Sequence, residues 1–366
     1  GIMVRILVFG ACNNLGGIEK YLYNISKYMP DVIFDFVSLY DNIWFQKDFE
    51  SNGSIIYKLP HRGKHPFQFL KQLAQLFKEH PEYHTVYCNM MSCSFIEPLI
   101  LARLFNRKVV SHCHTTQLHD SLKTRILNKI NKPLVKLLTE QYWACSYEAG
   151  KWMFGEKIAD SKLKIIYNGI EVKQFDFNEK VREQYRNKFN VNDMFVVGHV
   201  GRFEYPKNHF FIVNVFEKIV EQHKDSILLL IGDGSMKTEI KELVLEKGLE
   251  KQVKFLGNRS DIKELLQAMD VFIMPSWYEG ISVAAIEAQA SGLKVFCSEN
   301  VDCKTKLTEN FWRMSLEKTA KEWADVILAN GLMYERKSML EKVRRSGFDI
   351  NEVGKKVNSL FVDLQK

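Results

Sequence analysis

Residues 4–29 of the chain read VRILVFGACNNLGGIEKYLYNISKYM. The first six residues form an apolar run rich in β-branched side chains that ends at Gly10, and a polar loop follows as far as Gly17. Apolar residues then recur at the spacing of one helix face, at Ile18, Tyr21, Leu22, Ile25 and Met29. The stretch therefore predicts a strand, a loop and an amphipathic helix.

The same alternation of strand and helix recurs in two series along the chain. The first adds strands at Val32–Ser38, Thr85–Cys88 and Lys108–Ser111 and helices at Phe67–His80, Ser94–Phe105 and Leu122–Glu140. The second has strands at Phe195–Val200, Ser226–Ile231, Val253–Phe255, Val271–Met274 and Lys294–Cys297, with helices near 210–222, 236–246, 262–268 and 282–290. Strands that alternate with helices form parallel sheets covered on both faces, so each series predicts an α/β domain.

The length of 366 residues suits two domains of roughly 150 residues each. Between the two series, Glu171–Asn190 is polar and lacks a strong apolar period, which indicates a domain boundary. We predict two doubly wound, Rossmann-like domains, residues 1–170 and 171–349, that face each other across a cleft; the final helix, within 350–366, can pack on either. Because such sheets bind ligands beyond the carboxyl ends of their strands, function is expected in the loops there.

Composition excludes several classes of protein. Hydrophobic residues make up 46% and charged residues 26%, close to globular averages, which excludes disordered and fibrous chains. The net charge of +7 fits anionic small molecules or an anionic membrane, and no helix-turn-helix, zinc spacing or RNA-binding signature favours nucleic acid. Seven cysteines without a C-x-x-C pair are typical of reduced thiols. The apolar runs are shorter than the roughly 20 residues of a membrane span, and we expect a cytoplasmic protein.

Two predicted loops have the chemistry of phosphate binding. Asn13–Gly17 joins the first strand to its helix, where backbone N–H groups and the helix dipole favour an anion, although a plain tight turn is an equally good interpretation. The second loop follows Phe195–Val200 and carries Arg202 and Lys207, which can bind a diphosphate through charge-assisted hydrogen bonds. Ordinary surface charge is the alternative for these two residues.

A third loop carries the most specific pattern. Glu279 follows the strand Val271–Met274 and precedes a helix, so the backbone N–H groups of Gly280, Ile281 and Ser282 are available to an anionic or hydroxyl-rich ligand. Glu287 lies about one and a half turns into that helix, among Ala, Val and Ile, where a carboxylate needs a partner. The diol of a ribose can donate two hydrogen bonds to such a group.

These residues resemble those of the family 4 glycosyltransferases. Glu279 to Glu287 has the form of the E-x7-E motif of that family, and Gly201-Arg202 with Lys207-Asn208 is similar to its basic diphosphate clamp. Other motifs follow in family order: Gly16-Gly17-Ile18-Glu19, Ser111-His112-Cys113-His114-Thr115-Thr116, Ile166–Ile170, Leu230–Gly234 and Phe255–Gly257. The resemblance extends over nearly the whole chain and implies the GT-B architecture, in agreement with the two predicted domains.

The resemblance also implies a role for each residue. Gly16 and Gly17 would approach the donor phosphates, Arg202 and Lys207 would neutralise the diphosphate, Glu279 and the amides after it would orient the sugar, and Glu287 would hold the ribose. Arg259 would lie beside the nucleobase. His114 matches the histidine near the sugar and the reacting carbon, with His112 as second choice. No metal or other cofactor is implied, because fixed cations and helix N-termini stabilise the departing diphosphate; no general base is assigned.

One departure from the family pattern bears on the substrate. Many members have Gly-x-Pro and then a Gly-Gly loop after the second glutamate, whereas this chain has Gly292-Leu293-Lys294 and no glycine in Ser298–Lys306. This version is similar to the subgroup that builds capsular or exopolysaccharide repeat units, whose acceptors are usually lipid-linked sugars. The basic, amphipathic stretch 122–138 is compatible with an anionic membrane surface and equally with a solvated helix face.

We therefore predict a retaining glycosyltransferase that moves a hexose or N-acetylhexosamine from a UDP-sugar to a saccharide acceptor in polysaccharide biosynthesis, with peripheral contact to the inner face of a membrane. A nucleotide-sugar 2-epimerase of the same fold is one alternative. A non-catalytic partner subunit that only binds a sugar nucleotide is another. The sequence leaves open the sugar, the acceptor, the linkage and the oligomeric state.

Overall fold

The structure is a computed structural model that describes residues 1–115 and 121–366. These residues form two compact units, Gly1–Gly169 together with Ile350–Lys366, and Ile170–Asp349. Across the described ranges, none of the helices combines the length and the hydropathy that crossing a membrane requires.

The first unit is built on a parallel sheet, in which the described residues supply seven strands. They are β1 (Val4–Phe9), β2 (Val32–Ser38), β3 (Ile56–Lys58), β4 (Thr85–Met90), β5 (Lys108–Cys113), β6 (Gln141–Ala144) and β7 (Lys164–Ile165). Their order is β3-β2-β1-β4-β5-β6-β7, so the winding reverses between β1 and β4.

Helices cover both faces of this sheet. They are α1 (Gly17–Ser26), α2 (Gln46–Ser51), α3 (Pro66–Glu79), α4 (Glu97–Leu104), α5 (Leu122–Leu138), α6 (Tyr147–Phe154) and α7 (Glu156–Ser161). The buried apolar residues form one cluster with α3, α4 and α6 and a second with α1. Alternate residues of the strands supply the two clusters, because successive side chains point to opposite faces.

The second unit repeats the plan with six described strands. They are β8 (Phe195–Val200), β9 (Ser226–Ile231), β10 (Val253–Gly257), β11 (Val271–Met274), β12 (Lys294–Ser298) and β13 (Phe311–Met314), in the order β10-β9-β8-β11-β12-β13. The helices are α8 (Glu179–Lys188), α9 (His209–Gln222), α10 (Lys237–Glu246), α11 (Ile262–Ala268), α12 (Val283–Ala290), α13 (Ala320–Gly331) and α14 (Leu340–Val343). Here the winding reverses between β8 and β11.

The last helix, α15 (Ile350–Asp363), belongs to the first unit. Its Phe361 ring packs edge-on against Tyr87, with ring centroids 5.0 Å apart. The side-chain amide of Asn358 accepts a hydrogen bond from the Asp31 backbone N–H and donates one to the Asp31 carboxylate, both at 2.9 Å. The sequence did not show which domain this helix packs on. Buried aromatic packing and the hydrogen bonds of the Asn358 amide place it on the first unit.

The segment Glu171–Asn190, which has no strong apolar period, nevertheless contains regular structure. Glu179–Lys188 is a helix, α8, which is too polar to show an apolar period. It is held instead by arginines: Arg182 and Arg186 bind Asp270 at 2.6 and 3.3 Å, and Arg186 also donates to the Ala268 carbonyl oxygen at 2.8 Å. Strands β3, β6, β7 and β13 were not predicted, because segments of two to four residues are too short for a period.

Candidate active site

In each sheet the winding reverses once, and open parallel sheets bind ligands beside such a reversal, beyond the carboxyl ends of the strands. In the first unit, the loop after β1 and the end of β4 lie at this place. In the second unit, the loops after β8 and β11 do. Most of the predicted site residues follow one of these strands, and His114 follows β5, which pairs with β4.

The loop after β1 ends at Gly16, the N-cap of α1, and Gly17 is the first residue of that helix. A side chain at Gly16 would place its Cβ 3.2 Å from a carboxylate oxygen of Glu19, whereas Gly17 has open space around it. Glu19 is buried and accepts hydrogen bonds from the Cys12 backbone N–H at 3.1 Å and the Cys12 thiol at 2.9 Å. Glu19 therefore holds the loop in shape, a role that its place in the Gly16–Glu19 motif did not predict.

Strand β5 runs two residues further than predicted, so His112 lies inside the sheet and is fully buried. Its Nδ1 meets the hydroxyl of Tyr87, which in turn lies 2.9 Å from the hydroxyl of Tyr21. Burial holds the pKa of His112 well below its ordinary value. These contacts make His112 a core residue and leave His114 as the histidine of the candidate site.

His114 follows β5, and its Nε2 lies 2.8 Å from Oδ1 of Asn89. Its ring stacks on that of His112, with centroids 3.9 Å apart. Burial lowers the pKa of His114 to about 3, so the imidazole is neutral at physiological pH. Thr116, which ends the sequence motif around this histidine, lies outside the described residues.

The structure brings Lys207 and Glu279 together as an ion pair, although they are 72 residues apart in the chain. Lys207 ends the short turn after β8 and Glu279 lies in the loop after β11. Two further hydrogen bonds join these loops, both at 2.9 Å. The Trp277 backbone N–H donates to the Pro206 carbonyl oxygen, and the side-chain amide of Asn208 donates to the Pro275 carbonyl oxygen. Arg202, in the same loop as Lys207, is exposed.

The loop after β12 meets the backbone of the Glu279 loop. Glu279 forms a parallel bridge with Val301, and its N–H donates to the Asn300 carbonyl oxygen at 3.3 Å. The Asp302 N–H lies 3.3 Å from the carbonyl oxygens of both Glu279 and Gly280. This contact occupies the segment in which the chain lacks the glycines of many family members.

The Ser282 backbone N–H already has a partner within the protein. Its backbone N–H donates to the Thr305 hydroxyl at 3.3 Å, and its own hydroxyl accepts the Ala285 N–H at 3.2 Å as the N-cap of α12. The Ser282 N–H would have to give up the Thr305 hydroxyl to bind a ligand, so the role expected for this amide stays a prediction. Within the described residues, the N–H groups of Gly280 and Ile281 have no such partner.

Glu287 is half-buried on the second turn of α12. Across residues 1–115 and 121–366 its carboxyl group has no hydrogen-bond or ionic partner, and burial raises its pKa to about 7. A half-buried carboxylate without a partner is costly, so Glu287 remains a candidate for ligand binding.

Arg259 lies apart from Lys207 and Glu279. It follows β10, which is separated from β8 by β9. Its Nε and Nη2 atoms each lie 2.9 Å from an oxygen of Asp261, and this guanidinium lowers the pKa of the Asp261 carboxyl to about 2. Any contact of Arg259 with a nucleobase would thus come from a side chain already held in place.

Among the residues that the structure describes, no three or more His, Cys, Asp or Glu side chains are grouped in a way that could hold a metal ion.

Known families and proteins resemble the chain along its whole length. Residues 15–174 match the family described as Glycosyltransferase Family 4, and residues 181–327 match that described as Glycosyl transferases group 1. EpsF of Bacillus subtilis (strain 168), named as a glycosyltransferase, is 29% identical over 99% of this chain and 97% of its own. The capsular polysaccharide biosynthesis glycosyltransferase CapH of Staphylococcus aureus is 25% identical over 86% of each.

A solved structure shows the same fold. HepE of Anabaena, crystallised with UDP and glucose, has a TM-score of 0.70 and 21% identity, covering 98% of this chain and 100% of its own. This likeness, with the two parallel sheets, confirms the predicted GT-B fold. The two family matches and the relatives named as glycosyltransferases confirm the predicted family: the chain is an enzyme that belongs to the family 4 glycosyltransferases.

Proposed function

We propose that the enzyme transfers a hexose or N-acetylhexosamine from a UDP-sugar to a lipid-linked saccharide in polysaccharide biosynthesis, with retention of the anomeric configuration. The observation that carries the proposal is the Lys207–Glu279 pair at the reversal point of the second sheet. A cation, a carboxylate and the amides of Gly280 and Ile281 lie at one sheet edge, and Glu287 lies on the helix that follows; these two amides and the Glu287 carboxyl have no partner among the described residues.

These groups suit the chemistry of a glycosyl diphosphate. Breaking the bond between sugar and phosphate builds negative charge on the diphosphate and positive charge on the sugar. Lys207 and Arg202 stabilise the first, and Glu279 is placed to bind sugar hydroxyls. Glu287 accepts hydrogen bonds from the two hydroxyls of the ribose. These bonds give its half-buried carboxylate the partners that it does not have among the described residues. The departing phosphate itself accepts the proton of the acceptor hydroxyl, so no general base and no metal ion are needed.

Two relatives support the substrates. HepE was crystallised with UDP and glucose, which supports a UDP-sugar as donor. The name of CapH places that relative in capsular polysaccharide biosynthesis, which supports a saccharide acceptor. The glycine-free loop after β12 agrees with the capsular subgroup, whose acceptors are usually carried on lipid.

The direct test is a thermal-shift panel of nucleotide sugars followed by a turnover assay of the whole chain. A ligand at a hundred times its dissociation constant should stabilise the protein by about 2.7 kcal/mol. We expect a UDP-sugar to do so, and its turnover to persist in EDTA. Failure of every UDP-sugar to stabilise the protein, or loss of activity in EDTA, would contradict the proposal. Incorporation of solvent deuterium into the sugar without an acceptor would instead indicate the epimerase.

Helix α5 supports contact with a membrane. Two of its three buried residues are asparagines, and the third is Val135. Asn128 accepts the Cys93 N–H at 2.8 Å, and Asn131 donates to the Cys93 carbonyl oxygen at 2.9 Å. Its outward face carries five large apolar side chains that are between 41% and 76% exposed, namely Leu122, Ile126, Ile130, Leu134 and Leu137. An ordinary solvated helix has the opposite arrangement.

The charged residues of α5 indicate which kind of membrane surface it would contact. Lysines and arginines flank the apolar stripe, at Lys123, Arg125, Lys129, Lys132 and Lys136, and residues 121–139 contain no Asp or Glu. Apolar burial with basic flanks suits the interface of an anionic lipid bilayer. We propose that α5 docks there and brings the enzyme to its lipid-linked acceptor.

Flotation with liposomes tests the docking of α5. Wild type should float with vesicles that contain phosphatidylglycerol and much less with pure phosphatidylcholine. The double variant Ile126→Asn with Ile130→Asn should lose flotation, while Leu245→Asn, at an exposed leucine of α10, should retain it. Flotation that is independent of lipid charge, or unchanged in the double variant, would refute the docking.

A further inference from the structure

Asn89 on β4 has a defined amide orientation. Its Nδ2 lies 3.2 Å from the carbonyl oxygen of Phe9. A carbonyl oxygen can only accept a hydrogen bond, so the atom of Asn89 that faces it must be the donor nitrogen. The other end of the amide, Oδ1, therefore faces Nε2 of His114 at 2.8 Å.

This orientation decides the tautomer of His114. An amide oxygen can only accept, so Nε2 of His114 must carry the hydrogen. Because burial keeps the imidazole neutral, the ring has one hydrogen, and Nδ1 is left with a bare lone pair. Nδ1 is buried and has no hydrogen-bond partner within residues 1–115 and 121–366.

The surroundings hold both groups in place. Gly10 has φ of +106°, and a Cβ there would lie 2.2 Å from the Asn89 carbonyl oxygen, so only glycine lets the chain pass so close to Asn89. On the other side, His112 stacks on the His114 ring and is itself held by Tyr87. The ring plane of His114 is therefore supported from two directions.

We propose that Asn89 is a positioning residue that holds His114 as the Nε2–H tautomer, so that Nδ1 can only accept a hydrogen bond. If the proposed function holds, on which this consequence rests, Nδ1 receives the hydrogen bond of a sugar hydroxyl. His114 then orients a substrate and does not act as a proton donor. Asn89 lies in an ordinary strand pattern, so its local sequence gives no sign of this role.

The tautomer can be measured without any ligand. Histidines labelled with ¹⁵N give two-bond ¹H–¹⁵N correlations in which a protonated and a bare ring nitrogen differ widely in shift, and His114→Gln assigns the signals. Wild type should show Nε2 protonated and Nδ1 bare. An Nδ1–H tautomer, or an imidazolium at neutral pH, in the wild-type chain would overturn the proposal whether or not any variant folds.

Three variants test the role of Asn89. Asn89→Leu should produce a mixture of tautomers, whereas Asn89→Asp, whose carboxylate also accepts from Nε2, should keep the Nε2–H form. Asn131→Leu is the matched control. Asn131 is also a buried asparagine that donates to a backbone carbonyl oxygen, and among the described residues it has no hydrogen bond to a histidine. An unchanged tautomer in Asn89→Leu would refute the assignment.

A kinetic measurement distinguishes the positioning role of Asn89 from the proposed glycosyltransferase function. For a UDP-sugar shown to bind, Asn89→Leu should lower kcat by about tenfold, the worth of one hydrogen bond, and leave UDP affinity unchanged. If no nucleotide sugar binds at all, the proposed function fails while the tautomer measurement still stands. If UDP binds normally to Asn89→Leu and the UDP-sugar is turned over at the wild-type rate, the positioning role fails alone.

Discussion

Replacing Glu287 with glutamine should stabilise the protein at alkaline pH and have little effect at acidic pH. Burial raises the pKa of this carboxyl from 4.5 to about 7 in the folded chain. Below pH 4.5 it is protonated in both the folded and the unfolded chain. Between pH 4.5 and 7 the unfolded chain loses the proton first, so the stability that protonated Glu287 contributes falls as the pH rises. Above pH 7 the folded state carries the whole cost of the half-buried charge.

The size of this cost follows from the pKa. Each unit of pKa is worth 1.36 kcal/mol, so a rise from 4.5 to about 7 corresponds to about 3 kcal/mol. Glu287 is only half-buried, and water that reaches the side chain reduces the penalty. We expect Glu287→Gln to be about 1–2 kcal/mol more stable than wild type near pH 8. Near pH 4.5, where the wild-type carboxyl is mostly neutral in the folded chain, the two should be nearly equal.

Urea unfolding of wild type and Glu287→Gln at both pH values, without nucleotide, provides the assay. Glu246→Gln, at an exposed glutamate of α10, is the matched control and should not change its difference from wild type with pH. The explanation fails if Glu287→Gln is destabilising near pH 8. It also fails if its difference from wild type is the same at the two pH values, since the cost would then not come from the charge.

Two cations and the Glu287 carboxyl of the second unit provide further predictions. Lys207→Met leaves Glu279 without its partner and should cost about 1.5–3 kcal/mol of transition-state stabilisation in kcat/KM, with Lys251→Met, at an exposed lysine, as control. Arg202→Met should cost a similar amount, and full turnover in either variant would contradict the diphosphate clamp. UDP binding near pH 6.5 should release part of a proton, because ribose hydroxyls that donate to Glu287 lower its pKa; calorimetry in buffers of different ionisation enthalpy should detect this release in wild type and not in Glu287→Gln.

Local patterns made much of the fold predictable. The long strands Val32–Ser38, Phe195–Val200 and Ser226–Ile231 have the predicted bounds, because short, mostly apolar runs rich in β-branched and aromatic residues are a strong local signal. The polar helix α8 and the two-residue strand β7 had no such signal. Arginine contacts to Asp270 hold the first, and pairing with β6 holds the second. Contacts of this kind join distant parts of the chain and leave no period in it.

The candidate site was predictable where its spacing is local. Glu279 and Glu287 are eight positions apart on one loop and one helix, so their relation could be read from the chain. The pairing of the Ser282 backbone N–H could not be read in this way, because the Thr305 hydroxyl that accepts it comes from another segment. The burial of His112 depended likewise on how far β5 continues and on Tyr87 beside it.

The sequence by itself determined the α/β class, the two series and the family, because periodicity and motif spacing are properties of neighbouring residues. The tertiary structure alone decided the order of the strands, and with it the reversal point at which Lys207 meets Glu279. It also decided which face of α5 is turned outward and which nitrogen of His114 faces Asn89. These depend on the pairing of segments far apart in the chain, which buried hydrogen bonds and close packing select only when the whole unit has folded.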